Sequence, residues 1–129
     1  MAAPIRIVLV EDNKVFREAL ELLLGLRPDV GVVASLADGN DAVSACLEYD
    51  PDVLLVDYRL PGLDGVQVTA AVRDACPDVA VVCLTASVSP REVEALREAG
   101  AVACLRKDQE LDEIVAAIVR ASGRLAPTE

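Results

Sequence analysis

Three copies of Pro-Asp-Val, at Pro28–Val30, Pro51–Val53 and Pro77–Val79, constrain the fold of this chain more than any other feature. Each copy follows a helical pattern and precedes an apolar run. The proline ends the helix and the valine begins a strand. Repeats this closely spaced leave room for one helix plus one strand, the βα unit.

Strands are expected at Ile5–Val10, Val30–Leu36, Val53–Val56, Val79–Leu84 and Ala101–Leu105. They are apolar nearly throughout and do not alternate strictly, as parallel strands covered on both faces should not. Helices are expected at Lys14–Leu26, Asp41–Tyr49, Gly65–Ala75, Ser89–Ala99 and Glu110–Ala121. In the first, Phe16, Ala19, Leu20 and Leu23 share a face. Val15, Leu22, Leu24 and Leu26 are surplus, and read either as core under a wide face or as a docking patch. Ser89, Pro90 and Glu92 fit an N-cap, a first-turn proline and the acidic position of a capping box. The last helix has a stripe of Leu111, Ile114, Val115, Ile118 and Val119, with Ala117 and Ala121 as candidates for an exposed dimer surface. Five βα units in strict alternation specify an α/β fold: a five-stranded parallel sheet of order 2-1-3-4-5, a flavodoxin-like (βα)5 three-layer sandwich. At 129 residues and 53% hydrophobic, the chain suffices for one such domain.

Composition removes several function classes. With 12 basic and 22 acidic residues the net charge is −10, which repels phosphate backbones and anionic lipid, so direct nucleic-acid binding is not expected. Aromatic residues are 2% and Trp is absent, which leaves no stacking platform. With no histidine there is no Ser-His-Asp or Cys-His catalysis, no usual zinc-enzyme ligand set and no phosphohistidine on this chain. Cys46, Cys76, Cys83 and Cys104 form no Cys-x-x-Cys pair and have apolar flanks, so they read as small buried hydrophobes in a reducing compartment. No apolar run approaches the ~18 residues of a membrane span. The opening MAAPIR lacks the features of a signal peptide, so a cytoplasmic location is expected.

The chemistry collects at the strand ends. Glu11 and Asp12 follow the first strand, Asp57 the third, Thr85 the fourth, and Arg106 and Lys107 the fifth. The order 2-1-3-4-5 sets these ends side by side, where ligands of open α/β sheets bind. Each residue alone has a plain structural use. Asp12 or Asn13 could cap the first helix, Thr85 could serve a turn, and Lys107 could be a solvated charge. Together, three crowded carboxylates raise one another's pKa and call for a cation. Oxygen-only ligands favour Mg2+, which leaves room for a phosphate oxygen. A flavin or nucleotide reading is poor, because the loop after the first strand is the anionic EDNKVF and no glycine-rich phosphate motif is present. Asp57 is expected to lie deepest and to act as nucleophile toward phosphorus, with Lys107 pairing the phosphate. A haloacid-dehalogenase-type enzyme wants a second Asp two residues on, where Arg59 stands here. A small phosphatase would also need a general acid.

From about Ile5 to about Ser122 the chain resembles a bacterial two-component response-regulator receiver domain (CheY-like). The acidic pair in VLVEDN, the aspartate in VLLVDYRLPGLDG, LTA after the fourth strand, and the lysine in LRKD carry the resemblance. It implies Asp57 as phosphoacceptor, Asp12 as a direct Mg2+ ligand, Glu11 acting through water, and the backbone carbonyl of Arg59 as a further ligand. It implies that Lys107 binds the phosphoryl group, that Thr85 is the switch hydroxyl, and that Ala86 leaves room beside the phosphoryl group. Pro61, Gly62 and Gly65 fit the turn after the acceptor strand. Arg59 and Ser87, two residues past Asp57 and Thr85, would shape water access or else be solvated loop residues. The implied partner is a sensor histidine kinase, with a possible homodimer and no conventional substrate turnover. Residues 1–122 would be the receiver domain and residues 123–129 the start of a linker or tail.

Two positions depart from the common pattern. Cys104 stands where the family often has an aromatic, so an inward-rotating ring cannot transmit the switch. Lys107 is followed by Asp108 and not by proline, as in the NarL/FixJ-like subfamily, whose members carry a C-terminal helix-turn-helix. GRLAPTE resembles the segment leading to such a domain, which suggests transcription control; a single-domain regulator would read similarly. The alternative is a receiver-like interaction module that works without phosphorylation. The complete acidic set and the lysine count against it.

Overall fold

The computed structural model describes residues 3–86 and 89–123. Five strands alternate with five α-helices: β1 (Ile5–Val10), α1 (Lys14–Gly25), β2 (Val30–Leu36), α2 (Ala42–Tyr49), β3 (Val53–Asp57), α3 (Gly65–Ala75), β4 (Ala80–Thr85), α4 (Pro90–Ala99), β5 (Ala103–Arg106) and α5 (Leu111–Ala121). All pairings are parallel, in the order β2-β1-β3-β4-β5, as expected.

The central strands are apolar throughout because both faces are covered. Val8, Val10, Leu54, Val56, Val81 and Cys83 point into one core with α2, α3 and α4. Ile7, Leu9, Val53, Leu55, Val82 and Leu84 point into the other with α1 and α5. The period-two geometry of a strand is therefore present, but both half-sets are apolar.

Several boundaries and faces differ from the sequence reading. β3 runs one residue further and carries Asp57 inside the ladder, paired with Leu84. β5 begins at Ala103, two residues late, because Gly100 ends α4 at φ 115° and the Ala101 N–H still bonds back to Leu96. The core face of α1 is Leu20 and Leu24 with Phe16 half-buried, spaced i, i+4, i+8. Leu23 is 42% exposed, and Val15, Leu22 and Leu26 are 79%, 69% and 73% exposed, so of the surplus residues only Leu24 is core and the other three are surface. Ser89 is the N-cap of α4 but makes no side-chain capping bond, so the expected capping box does not form there. It forms instead on α3, between Asp64 and Gln67. Ala117 is buried and cannot face a partner; Ala121 is half-buried. No helix among the described residues is long and apolar enough to cross a membrane.

Candidate functional site

The site is assembled from four strand ends. Glu11 follows β1 directly, and its N–H still bonds to Leu36 of β2, which keeps it at the sheet edge. Its carboxylate turns inward and is 1% exposed. Asp57, the last residue of β3, is 4% exposed. The expectation that Asp57 lies deepest is corrected: Glu11 is at least as deep, because its Oε2 is pinned by the Asn13 N–H at 3.0 Å.

Asp12 is the exposed member of the trio. The choice between Asp12 and Asn13 as helix cap is settled by Asn13, whose Oδ1 accepts from the Phe16 N–H at 3.0 Å. Asp12 is thereby left available at the mouth of the site. One carboxylate oxygen from each of Glu11, Asp12 and Asp57 lies within 4.8 Å of the others.

Lys107 reaches this cluster from the β5–α5 loop. Its Nζ lies 2.7 Å from Glu11 Oε1 and donates to Asp57 Oδ2 at 3.1 Å. The Phe16 ring centroid is 4.8 Å from the same ammonium, on a third side. The loop is held without proline. The Arg106 guanidinium binds Asp108 at 3.0 Å and 2.5 Å, the Arg106 N–H donates to Gln109 Oε1 at 2.8 Å, and the Lys107 N–H donates to the Thr85 carbonyl at 2.8 Å. Thr85 itself ends β4 and is 4% exposed.

The electrostatics follow from burial against pairing. Burial raises the Glu11 pKa, and the Asp57 charge adds to it; the Lys107 and Asn13 hydrogen bonds pull it down but do not win. For Lys107, burial lowers the pKa, yet the bonds to Glu11 and Asp57 outweigh it and leave the ammonium stabilised. A single lysine thus faces more carboxylate charge than it can neutralise.

The donor set fits Mg2+. All side-chain donors are oxygens, Asp12 is open to solvent, and the residual negative charge suits a hard dication that keeps waters. The turn after β3 supports the same geometry. The Arg59 N–H donates to Asp57 Oδ1 at 3.3 Å and the Gly65 N–H to the Tyr58 carbonyl at 2.8 Å. A Cβ on Gly65 would stand 2.7 Å from the Tyr58 Cα and 3.0 Å from the Asp57 carbonyl oxygen, so α3 can start this close behind Asp57 only on glycine. Gly62, at φ 76°, makes the preceding turn.

The fold therefore brings together Glu11, Asp12, Asp57, Thr85 and Lys107, with Arg59 at the rim and Ala86 exposed beside Thr85. Ser87 lies outside the described residues. Three neighbours were not legible in the sequence. Phe16 reads as a core residue. Arg17 gives no local signal, yet its guanidinium donates to the Glu11 carbonyl at 2.7 Å. Glu92, read as a capping residue, lies instead 3.7 Å from the Arg59 guanidinium.

The response regulator receiver domain family matches residues 7–119. The transcriptional regulatory protein LiaR of Bacillus subtilis is 33% identical over 118 residues, covering 92% of this chain and 56% of LiaR. A protein-glutamate methylesterase/protein-glutamine glutaminase of Nitrosospira multiformis is 36% identical over 105 residues, covering 78% of this chain but 29% of that protein. The solved signal receiver domain of the response regulator NarL from Mycobacterium tuberculosis superposes with a TM-score of 0.90 at 36% identity, covering 95% of this chain and 98% of that one. The chain spans about half the length of the first curated relatives it matches.

Proposed function

The chain belongs to the response regulator receiver domain family, and from that premise we propose that Asp57 is its phosphoacceptor in a phosphorylation-dependent switch. The observation that carries the reading is the Lys107–Asp57 contact of 3.1 Å, made across 50 residues of sequence inside a cluster of three carboxylates.

In the proposed reaction an Asp57 oxygen attacks the phosphorus of a phosphohistidine on a sensor histidine kinase. The phosphorus–nitrogen bond breaks, and the imidazole keeps the electron pair and takes up a proton. Asp12, Glu11, Asp57 and the Arg59 carbonyl are the groups that would hold Mg2+. When bound, Mg2+ neutralises the carboxylates and offsets charge on the phosphoryl oxygens. Lys107 pairs a phosphoryl oxygen, and Thr85 approaches the group from β4. Added charge on Asp57 then biases the strand ends and α4 toward a second arrangement. No conventional substrate is turned over. The methylesterase relative matches over less than a third of its length, which leaves most of that enzyme outside the shared region.

The same reading assigns residues 1–122 to the receiver domain and residues 123–129 to the beginning of a linker or tail. The exposed apolar face of α1 (Val15, Leu22, Leu26) is the docking surface for the kinase. The output is control of transcription through a DNA-binding domain outside this chain, in the cytoplasm, with a homodimer as the candidate active form. The names of relatives such as LiaR support this, and the complete site disfavours a phosphorylation-independent module.

The test is intact mass after incubation with a small phosphodonor and Mg2+, for wild type and Asp57→Asn, each with and without chelator. One phosphoryl group on wild type is expected, lost in Asp57→Asn and blocked by chelator. An adduct that survives in Asp57→Asn would reassign the acceptor.

A further inference from the structure

Glu92 stands in the first turn of α4 and is not free to act as a helix cap alone. Its carboxylate lies 3.7 Å from the Arg59 guanidinium, with side-chain exposures of 23% for Glu92 and 72% for Arg59. Two more groups face it. Besides burial, the Glu92 charge raises the pKa of the Tyr58 hydroxyl and, more weakly than burial, that of the Cys104 thiol. Glu92 therefore sits where the acceptor loop, α4 and the small residue in place of a switch aromatic all meet.

Arg59 is anchored at its other end. Its N–H holds Asp57 Oδ1 at 3.3 Å, so the side chain starts two residues from the acceptor oxygen. A guanidinium binds phosphate through paired hydrogen bonds better than it binds a single distant carboxylate oxygen. An acyl phosphate adds nearly two negative charges and three acceptor oxygens beside Asp57. Against that, an exposed pair as long as Arg59–Glu92 is weak and yields readily.

We propose that Glu92 is a positioning residue for the acyl phosphate: it holds the Arg59 side chain away from Asp57, so that the phosphoryl group and the first turn of α4 compete for one guanidinium. This rests on Asp57 being the phosphoacceptor. Phosphorylation draws Arg59 inward and releases the start of α4, which gives this chain a route to α4 that needs no aromatic at Cys104. By linkage, a partner that engages Glu92 on α4 frees Arg59 to cover the phosphoryl group and prolongs its lifetime. Hydrolysis joins a water oxygen to phosphorus and breaks the bond from phosphorus to the Asp57 oxygen. The carboxylate keeps the electron pair and the water proton leaves to solvent. A guanidinium across the phosphoryl oxygens obstructs that approach.

The experiment follows decay of the acyl phosphate by intact mass after donor removal, in the 129-residue chain. Wild type, Glu92→Gln, Arg59→Ala and the double variant are compared. Glu92→Gln is expected to lengthen the lifetime by up to about fivefold, the most an exposed ion pair ordinarily supplies, and to have no effect when Arg59 is already Ala. An equal factor in both backgrounds marks Glu92 as merely structural and overturns the proposal, as does no change in either. A second readout is amide exchange in the first turn of α4. It is expected to rise on phosphorylation in wild type and to be high from the outset in Glu92→Gln; equal exchange in all states overturns the proposal. If wild type takes up no phosphoryl group, the acceptor assignment itself falls, a result distinct from either outcome above.

Discussion

Lys107 lies closer to Glu11 than to Asp57, at 2.7 Å against 3.1 Å. The ammonium is thus shared: it is ion-paired to the most buried carboxylate of the cluster and hydrogen-bonded to Asp57. This division has consequences in pH, because the two partners are shifted in the same direction for different reasons.

Glu11 has its folded pKa raised above 4.5, mainly by burial, so the folded state holds its proton longer than the unfolded chain does. Stability contributed at this site therefore falls as pH rises from about 4.5 through the raised value. Lys107 has its folded pKa raised above 10.5, so its contribution is full below 10.5 and is lost as pH climbs through the folded value. In metal-free protein, Glu11→Gln is expected to flatten the acid-side slope of the denaturation midpoint. Lys107→Met is expected to flatten the alkaline-side slope. Slopes unchanged by either substitution would mean that these groups are not the ones that titrate.

Mg2+ should stabilise the folded chain by relieving carboxylates that Lys107 alone cannot balance. At a hundredfold excess over its dissociation constant the gain is about 2.7 kcal/mol. Thermal melts with and without Mg2+ measure it, and chelator should reverse it. Asp12→Asn should remove most of the gain while leaving the metal-free melt nearly unchanged, because Asn13 and not Asp12 caps α1. A Mg2+ effect of equal size in Asp12→Asn would place the ion elsewhere.

The turn behind Asp57 gives a backbone test. A methyl group on Gly65 meets the Tyr58 Cα at 2.7 Å, and backbone atoms cannot step aside as a side chain can. Gly65→Ala should cost about 1–3 kcal/mol, read as a lower denaturation midpoint, and should slow phosphoryl uptake by displacing Asp57. Gly25→Ala, with nothing within 4 Å of the added carbon, is the matched control. Equal effects of the two would remove close approach as the reason for Gly65.

Strand order and the convergence of the five candidate residues were legible in the sequence because they depend on covalent order. A residue at the end of a strand of known rank, or just past it, has a known place on the sheet edge, and Glu11, Asp57, Thr85 and Lys107 all qualify. What was not legible depends on tertiary rotation. A helical stripe read as Phe16, Ala19, Leu20 and Leu23 and one read as Phe16, Leu20 and Leu24 differ by a fraction of a turn. In a helix with apolar residues at so many positions, only the packing against the sheet face decides. Glu92 shows the same limit: its place three residues after Ser89 is correct for a capping box, but its carboxylate is drawn instead to Arg59, a residue on another loop.

Cysteine reactivity should follow burial, since all four thiols lie in or against the core shared with α2, α3 and α4. Burial pushes the Cys46 and Cys83 thiols up to about 12, and both are closed to solvent. Cys76 and Cys104 are half-buried and raised less far. At pH 8 an alkylating reagent should modify Cys76 and Cys104 first, with Cys46 and Cys83 following only on unfolding. Cys104 faces Cys83 across the β4–β5 ladder, so its modification should loosen the α4 side of the sheet before it loosens α1 and α5. Peptide mapping of the alkylated chain reads the order. Early labelling of Cys83 would show that β4 opens locally, contrary to its full burial between the two layers.

Helix α1 separates packing from docking most cleanly, since the two kinds of leucine alternate along it. Leu24 is fully buried against the sheet, and Leu22 is 69% exposed. Leu24→Ala should cost about 2–5 kcal/mol, seen as a fall in the denaturation midpoint. Leu22→Ala should change stability by no more than about 0.5 kcal/mol, because its side chain already faces water in the free protein. If the exposed face of α1 receives the kinase, Leu22→Ala should slow phosphoryl transfer from a kinase while leaving transfer from a small phosphodonor unaltered. Small donors need only the pocket, whereas a protein donor needs the surface beside it. Equal slowing with both donors would return Leu22 to a structural role, and no slowing with either would move the docking surface off α1.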